Sequence, residues 1–396
     1  MTEILANLIT PLTVETFVGE IWTQKAVYLP ALHPQRFQEL FAWEDLNHLL
    51  NFHPLNNPDL RFHQGGQSWP DVPVKQGRDS RTETLRHRLK QGATLILNQV
   101  HQRHPPLAQW TAALQRDLGH PVQVNLYLSP PHQQGFNCHY DTHEVFILQL
   151  DGEKEWLIYD PTVAYPTSET RQDSDLPPET PPYWQGVLKP GDVLYIPRGH
   201  WHYAIALEQY SLHLTVGVSS PTGLDWLEWA IAQLQKQPQW RQNLPLLHLD
   251  SQSLEQSLHH LGTALTQWIT SDQTLQAYRQ HLQHQQPPLP LQLPQQLHPT
   301  LDPSEWSLDT HFQPSPLHRP QILGSEAEGW EIDFANRHIT LQGLSPAALA
   351  CLFNPQGFTL SELAETAPTL SLDDALKIIA RLVQEGVLSI NSQFSH

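Results

Sequence analysis

Hydrophobic and polar positions follow a helical spacing at the start of this chain. Five apolar residues after Pro11 fall on one helical stripe: Val14, Phe17, Val18, Ile21 and Trp22. Spacings of three and four residues are typical of an amphipathic helix, so we predict one here. A second short helix is predicted over 43–50, where three leucines share one side.

From residue 95 onward the pattern changes to short β-rich runs separated by turn residues. The runs are LILNQV, VQVNLYL, EVFILQL, EWLIYD, DVLYIP and SLHLTVGV. Many short strands of this kind predict a sandwich or barrel. Asp151-Gly152 lies between two runs and predicts a hairpin turn, while the Pro-, Ser- and Thr-rich stretch 161–186 predicts a long loop.

Helical spacing returns after Pro221. Helices are predicted over Asp225–Lys236 and Leu254–Leu282, and a seam of apolar residues in the second suits packing within or between chains. Two further helices are predicted over 345–353, with Ser345 as N-cap, and 371–384, which suggests a winged-helix-like module. We therefore expect four segments: a β domain with an N-terminal helical flank (1–222), a helical region (223–284), a Pro/Gln-rich linker (285–300) and a winged-helix-like domain (301–396).

Composition narrows the class of protein. A chain of 396 residues is too long for one compact core. Its net charge of −18, from 22 basic against 40 acidic residues, repels nucleic acid and acidic membranes and attracts basic partners, although solubility alone explains the charge equally well. Two cysteines indicate no disulfide framework. We see neither a signal peptide nor the ~20 apolar residues of a membrane helix, so we expect a cytoplasmic protein.

Two separate motifs carry candidate metal ligands. The first is GFNCHYD, in which His139 and Asp141 would share one face if the segment is a strand. The second is GDVLYIPRGHWH, which fits the pattern G-x5-P-x-G-x2-H of a cupin barrel and ends at His202. Two histidines and one carboxylate, with the remaining positions open, form the facial triad of non-haem Fe(II) oxygenases.

Four other histidines compete for these roles: His132, His143, His200 and His213. His143 is the main rival because it has the same strand parity as His139 and Asp141. His200 has the wrong spacing after Gly199, and His132 falls in the loop before the strand. An isolated H-x-D is usually a solvated or packing feature, but two independent motifs converge on the three named residues.

Three further residues are candidates for binding a co-substrate. Lys154 lies in an otherwise apolar, inward-facing strand and needs a negative partner, which the far carboxylate of a 2-oxo dicarboxylic acid would supply. Asn125 and Tyr127 share one face of the strand VQVNLYL and are candidate hydrogen-bond donors. The alternatives are an edge-strand lysine facing water and ordinary barrel packing.

These stretches together resemble the JmjC ribosomal oxygenases. The resemblance covers the run NLYLSP, the two metal motifs and SLHLTVGV, and it extends to both flanks by architecture. It implies a mainly β fold with α elements: a double-stranded β-helix (cupin or jelly-roll) core with N-terminal helices, a helical dimerisation region and a C-terminal winged-helix-like domain. It also implies Fe(II) on His139, Asp141 and His202, and 2-oxoglutarate held by Lys154 with Asn125 nearby.

The function implied by the resemblance is hydroxylation of a histidine or arginine side chain in a ribosomal protein. Lysine at 154 is more like the histidine-hydroxylating branch, whereas Thr142 and Asn137-Cys138 depart from the usual residues near the substrate entrance. A basic ribosomal protein would suit an acidic chain, and a homodimer is expected through the helical region. Residues 331–396 hold seven acidic and three basic residues, so we expect no direct nucleic-acid binding.

Two other interpretations remain open on the sequence alone. An oxygenase of the same chemistry that acts on a small molecule or peptide would have a closed apolar pocket, whereas a wide acidic groove would favour a protein substrate. A non-catalytic metal-binding cupin would have a fourth protein ligand, for which His143 is the candidate.

Overall fold

The structure is a computed structural model. It describes residues 3–55, 58–69, 78–172, 174–246, 251–283, 306–315, 320–334, 337–368 and 370–390. These residues form two compact units, Met1–Ser220 and Pro221–His396. The linker predicted over 285–300 lies outside the described residues, and the four predicted segment boundaries stay predictions.

The described part of the first unit contains five α-helices: α1 Glu3–Leu8, α2 Val14–Thr16, α3 Trp43–Phe52, α4 Arg78–Lys90 and α5 Pro105–Leu118. The first predicted helix begins at Val14 but widens into a five-residue turn over Phe17–Ile21. The amide of Trp22 bonds the carbonyl of Phe17, so Phe17 and Ile21 reach the core while Val18 stays exposed. The predicted single stripe is therefore wrong at Val18.

Eleven strands of the first unit form two antiparallel sheets. The strands are β1 Val27–Leu29, β2 Leu60–Gln64, β3 Gln67–Ser68, β4 Thr94–Leu97, β5 Val122–Ser129, β6 Glu144–Asp151, β7 Lys154–Tyr159, β8 Trp184–Leu188, β9 Val193–Ile196, β10 Trp201–Ala206 and β11 Ser211–Val218. The large sheet has the order β1-β9-β6-β11-β5-β4-β2-β3, and the small sheet has the order β10-β7-β8. All six predicted β-rich runs contain strands, and Asp151-Gly152 is the predicted hairpin turn between β6 and β7.

The large sheet has two faces of different character. Its outer face carries alternate residues such as Phe62, Leu95, Leu126 and Leu214, which form the main core with the N-terminal helices. Because paired residues of an antiparallel sheet point to the same side, the row Arg61, Ile96, Tyr127 and His213 lies on the other face. This inner face lies toward the small sheet, and the candidate site lies between the two.

The second unit begins with three helices: α6 Gly223–Leu234, α7 Ser251–Ile269 and α8 Asp272–Gln283. The single helix predicted over 254–282 is wrong, because one helix ends at Ile269 and another begins at Asp272. Ser271 accepts a hydrogen bond from the amide of Thr274 at 3.3 Å, which starts a new helix there. Of the described residues, none belongs to a helix long and apolar enough to cross a bilayer.

The C-terminal part of this unit has its own core of alternating small sheets and helices. The strands are β12 His311–Pro314, β13 Gln321–Ser325, β14 Gly329–Phe334, β15 Arg337–Leu341, β16 Phe358–Thr359 and β17 Leu388–Ile390, and the helices are α9 Pro346–Leu352, α10 Leu360–Thr366 and α11 Leu372–Gln384. Ser345 caps α9 as predicted, and Ser371 caps α11. The winged-helix assignment stays a prediction.

Candidate metal centre

His139 and Asp141 lie in the segment that joins β5 to β6, opposite β10. The segment is not the predicted strand: it forms two isolated β-bridges with β10, at Gln134 and His139. His139 and His202 exchange backbone hydrogen bonds of 3.1 and 2.7 Å, which brings their side chains together. The side chains are therefore brought together by a single β-bridge, and not by the alternation of a strand that was predicted from the sequence.

The ligand atoms of His139, Asp141 and His202 all lie within 4.8 Å of one another. The two imidazole centroids are 4.5 Å apart, and Nε2 of His202 is 3.6 Å from Oδ2 of Asp141. In each histidine the Nδ1 atom lies near a backbone carbonyl, that of Asn137 at 2.8 Å and that of His200 at 3.0 Å. Donation from Nδ1–H leaves the Nε2 lone pair for a metal ion.

Gly199 of the second motif permits this geometry. Gly199 has φ +83, and its amide donates to the carbonyl of Asp141 at 2.9 Å. A Cβ at this position would lie 2.7 Å from Cδ of Pro166, so only glycine fits. The turn that leads into β10 is thereby attached to the segment that carries the carboxylate.

The electrostatics of the cluster favour an ionised Asp141 and a neutral His202. Burial by itself raises the pKa of Asp141, but the neighbouring histidines, His143 foremost, lower it below its usual range overall. Burial, followed by the proximity of His139, lowers the pKa of His202 to about 4. An ionised carboxylate and unprotonated imidazoles are the forms that ligate a divalent metal.

The cluster opens into a cavity of about 380 Å³ between the two sheets. Tyr127, His213 and Thr215 of the large sheet line one side, and residues of the small sheet such as Lys154 and Trp156 line the other. A volume of this size accommodates a small co-substrate.

Lys154 lies at the buried part of this cavity. It is only 4% exposed and belongs to β7, the central strand of its sheet, so the edge-strand alternative is wrong. Its Nζ donates to Oγ of Ser129 at 2.9 Å, and this hydroxyl also accepts from Thr94 at 3.1 Å. Among the described residues no carboxylate forms an ion pair with Lys154, and burial lowers its pKa to about 7.

Tyr127 and Asn125 occupy different positions relative to the cavity. Tyr127 lines it and stacks on His213 with centroids 5.0 Å apart, and burial raises the pKa of its hydroxyl. Asn125 is not among the lining residues, and its side-chain oxygen accepts from the amide of Gln99 at 2.9 Å. The side chain of Asn125 also bonds Tyr127, so it supports the wall of the cavity rather than forming it.

The competing histidines lie outside the cluster. Nδ1 of His200 lies 2.8 Å from the hydroxyl of Tyr183, and exposed His132 lies 3.5 Å from Glu208. The ring of His143 packs at Gly217, and among the described residues it is not part of any group of metal-binding side chains.

Three residues that line the cavity had no role predicted from the sequence: Arg61, Arg171 and Trp156. His213, named above only as a competing histidine, also lines it. His213 is fully buried between Tyr127 and Trp156, and burial holds its pKa well below the usual range. A signal for Arg61 existed in the alternation LRFHQ, where the polar positions were the cavity-facing ones. No local pattern marks Arg171, because it lies in the long loop.

Comparisons with known proteins agree with this architecture. Residues 98–226 match the JmjC domain family. The chain is 30% identical to Ribosomal oxygenase 1 of Rattus norvegicus over 273 residues, which are 63% of this chain and 43% of that protein. It is 34% identical to Ribosomal oxygenase 2 of Mus musculus over 215 residues, 53% of this chain and 46% of that protein. The chain thus spans less than half the length of these relatives.

A solved structure matches nearly the whole fold. It is that of YcfD, a ribosomal oxygenase from Escherichia coli, in complex with cobalt and 2-oxoglutarate. The TM-score is 0.63 with 20% identity, and the match covers 96% of this chain and 99% of YcfD. The mixed α/β architecture with antiparallel sheets is therefore a JmjC/cupin fold. Residues 98–226 thus form a JmjC domain, and the resemblance to the ribosomal oxygenases predicted from the motifs is confirmed.

Proposed function

We propose that this protein is an Fe(II)- and 2-oxoglutarate-dependent dioxygenase that hydroxylates a protein side chain. One observation carries the proposal: three side chains that could hold a metal ion line the same cavity as a buried lysine that no described carboxylate pairs with. The relatives' names and the cobalt and 2-oxoglutarate bound to YcfD support it.

The donor set fits the metal. His139, Asp141 and His202 supply two nitrogens and one oxygen, and in the described part of the chain no fourth side chain joins them. Three protein ligands leave coordination positions for a 2-oxo acid and dioxygen, as in other facial-triad sites. The fourth ligand expected of a non-catalytic cupin is not found among the described residues.

The protein's own side chains would bind and orient the co-substrate. Lys154 would pair with the distal carboxylate of 2-oxoglutarate, with Ser129 and Thr94 holding the ammonium in place. Trp156 and Phe136 would keep water from the reacting centre. When bound, Fe(II) supplies the oxidation: 2-oxoglutarate and dioxygen become succinate and carbon dioxide, and one oxygen atom enters a C–H bond of the target.

We propose histidine rather than arginine as the target residue. In the described part of the cavity wall, Asp141 is the single carboxylate, whereas Lys154, Arg61 and Arg171 are cationic. A guanidinium entering here would be desolvated without an acidic partner, and it would face like charges. An imidazole is neutral at pH 7 in such a setting.

The experiment is a mass-spectrometric search for the product. The full chain, loaded with Fe(II), is incubated with 2-oxoglutarate and ribosomal proteins, and we expect one histidine-containing peptide to gain the mass of one oxygen atom. A parallel reaction with His202→Ala is the control. A modified small metabolite in place of a peptide would favour the alternative oxygenase. The described lining of the cavity is neither wholly apolar, as that alternative predicts, nor acidic, as was expected for a protein substrate.

We also propose that the protein is a homodimer that works in the cytoplasm. Three large apolar residues of α6 are exposed at helical spacing: Leu224, Leu227 and Ile231. An unpartnered apolar stripe of this kind is typical of a surface that packs against another helix. The acidic chain would suit a basic ribosomal substrate and would disfavour nucleic acid.

A further inference from the structure

The opening of the metal cavity carries two exposed arginines from distant parts of the chain. Arg61 belongs to β2, next to the edge of the large sheet, and Arg171 belongs to the long loop between β7 and β8. Both line the same cavity as His139 and Asp141. We call these two residues the cationic rim.

The sheet register places Arg61 on the cavity side. Arg61 pairs with Ile96, which pairs with Tyr127, which pairs with His213. Its strand neighbours Leu60 and Phe62 are buried in the main core on the opposite face. The guanidinium therefore lies at the outer end of a row that leads inward to the deepest part of the site.

Arg171 is held at the other side of the opening. Its guanidinium carbon lies 5.5 Å from the ring centroid of Tyr140, whose hydroxyl donates to Asp175. Arg171 is close enough to Asp141 to contribute to the lowering of its pKa, after the histidines. The loop thus presents a fixed positive charge near the metal ligands.

The charge of Arg171 is offset in part by Asp175, whose pKa is lowered first by the hydrogen bond from Tyr140 and more weakly by Arg171. No described carboxylate forms an ion pair with Arg61 or Arg171, and Asp141 is occupied by the histidine cluster. The chain as a whole has a net charge of −18, so a cationic opening is the reverse of the average surface. Positive charge concentrated beside a cavity attracts an anionic group.

We propose that the cationic rim binds a carboxylate that lies next to the oxidised side chain in the substrate. The inference rests on the proposed function and deepens it: a neutral target side chain enters toward the metal, and an adjacent carboxylate pairs with Arg61 and Arg171. An acidic residue beside the target in a peptide would supply this group, and so would the free carboxylate of a small imidazole acid. The guanidinium fork suits bidentate pairing with either.

The test measures binding and does not depend on turnover. The probes are three fluorescent seven-residue peptides with a central histidine flanked by two glutamates, two glutamines or two lysines, titrated into the full chain with Mn(II) and 2-oxoglutarate. We expect the glutamate peptide to bind about 3- to 10-fold more tightly than the glutamine peptide, and the lysine peptide to bind most weakly. Equal binding of the three, or no binding of the glutamate peptide, overturns the proposal.

Charge reversal tests the two arginines directly. In the double variant Arg61→Glu/Arg171→Glu, the order of the three peptides should reverse, whereas Arg86→Glu, an exposed arginine of α4 outside the cavity, should keep the original order. The milder Arg61→Gln should reduce the glutamate preference even if the double variant does not fold. The proposal is contradicted if Arg61→Gln keeps the full preference for the glutamate peptide. It is also contradicted if this variant loses affinity for 2-oxoglutarate and not for the peptide.

A fourth probe, N-acetylhistidine, separates the two sources of the carboxylate. If N-acetylhistidine binds as tightly as the glutamate peptide and this binding is lost in Arg61→Gln, the rim is supported and the substrate is a small molecule. If N-acetylhistidine binds more weakly than the glutamate peptide, the rim is supported with a peptide substrate. The rim and the proposed function fail separately. If binding depends on the rim but no substrate is oxidised when Fe(II) is supplied, only the proposed function is contradicted. If a peptide is hydroxylated but acidic peptides are not preferred, only the rim proposal is contradicted.

Discussion

At the scale of single residues, the proposed role of Lys154 is to set the affinity for the co-substrate through its buried charge. Its ammonium donates to the hydroxyl of Ser129 and lies over the ring of Trp156, and burial lowers its pKa to about 7. An anion bound beside it would raise this pKa again, so binding takes up a proton whenever the pH exceeds about 7. The affinity for 2-oxoglutarate is therefore greatest below pH 7 and falls as the pH rises.

The pH dependence of 2-oxoglutarate binding is therefore a first prediction. Calorimetric titration of the Mn(II)-loaded chain should show Kd increasing between pH 7 and 9 by up to about tenfold per unit. Lys154→Arg keeps its charge throughout this range and should flatten the curve, whatever its absolute affinity. A slope shared by both proteins would mean that Lys154 is not the group that titrates.

The metal ligands give a second prediction at this scale. Asp141→Ala removes the single oxygen donor of the cluster and should weaken Mn(II) binding more than about 100-fold. The matched control is His143→Ala, two residues along the chain and outside the cluster, which should change affinity by less than about tenfold. Comparable losses in both variants, measured by metal titration, would restore His143 as a ligand.

At the scale of elements, the β6–β7 hairpin fixes the position of Lys154. Gly152 in its turn has φ +67, and a Cβ there would lie 2.1 Å from the carbonyl oxygen of Tyr210. Gly152→Ala should therefore destabilise the first unit by about 2 kcal/mol or more and weaken 2-oxoglutarate binding. The shift of the urea unfolding midpoint measures the first effect.

Gly119 at the end of α5 is the matched control for this hairpin. It has φ +69, but nothing lies within 4 Å of its added Cβ. Gly119→Ala should cost only about 1 kcal/mol, the strain of the left-handed conformation alone, with no effect on the co-substrate. Equal losses at the two positions would show that the contact with Tyr210 is unimportant.

Element by element, the sequence was most informative where one face of a strand is buried. Runs such as VQVNLYL were identifiable because alternation directly reflects the core on one side of the large sheet. The segment around His139 was not, because two isolated bridges to β10 leave no repeating pattern. The break at Ser271 was also missed, since helical spacing continues on both sides of a capping serine.

The three candidate metal ligands could be found from the sequence for a different reason. His202 stands at the end of a motif whose glycine and proline spacing reflects a turn that few other residues permit. Arg171 had no such signal, because its position is set by the contact of its guanidinium with the ring of Tyr140, far away in the sequence. Long-range placement of loop side chains is set by tertiary contacts and not by local pattern.

At the scale of the whole molecule, the charge is distributed unevenly. The chain is strongly acidic, whereas the opening of the cavity is cationic. An acidic surface would attract a basic ribosomal protein over long distances, and the rim would select a local carboxylate at short range. The two features act at different distances, so they are compatible in one substrate.

The proposed dimer gives a prediction at this scale. Leu227→Glu/Ile231→Glu places charges on the exposed stripe of α6, and a homodimer built on it should become a monomer in sedimentation analysis. Exposed Glu228→Ala on the same helix is the control and should leave the mass unchanged. A monomeric unmodified protein at micromolar concentration would contradict the dimer.

The central claim is an open metal site in which 2-oxoglutarate reaches Lys154. It is tested most directly by a crystal structure of the full chain with Mn(II) and 2-oxoglutarate. We predict a metal ion bound by His139, Asp141 and His202 alone among the protein side chains, with the co-substrate on the metal and its far carboxylate on Nζ of Lys154. A fourth side chain on the ion, or a co-substrate away from Lys154, would contradict the account.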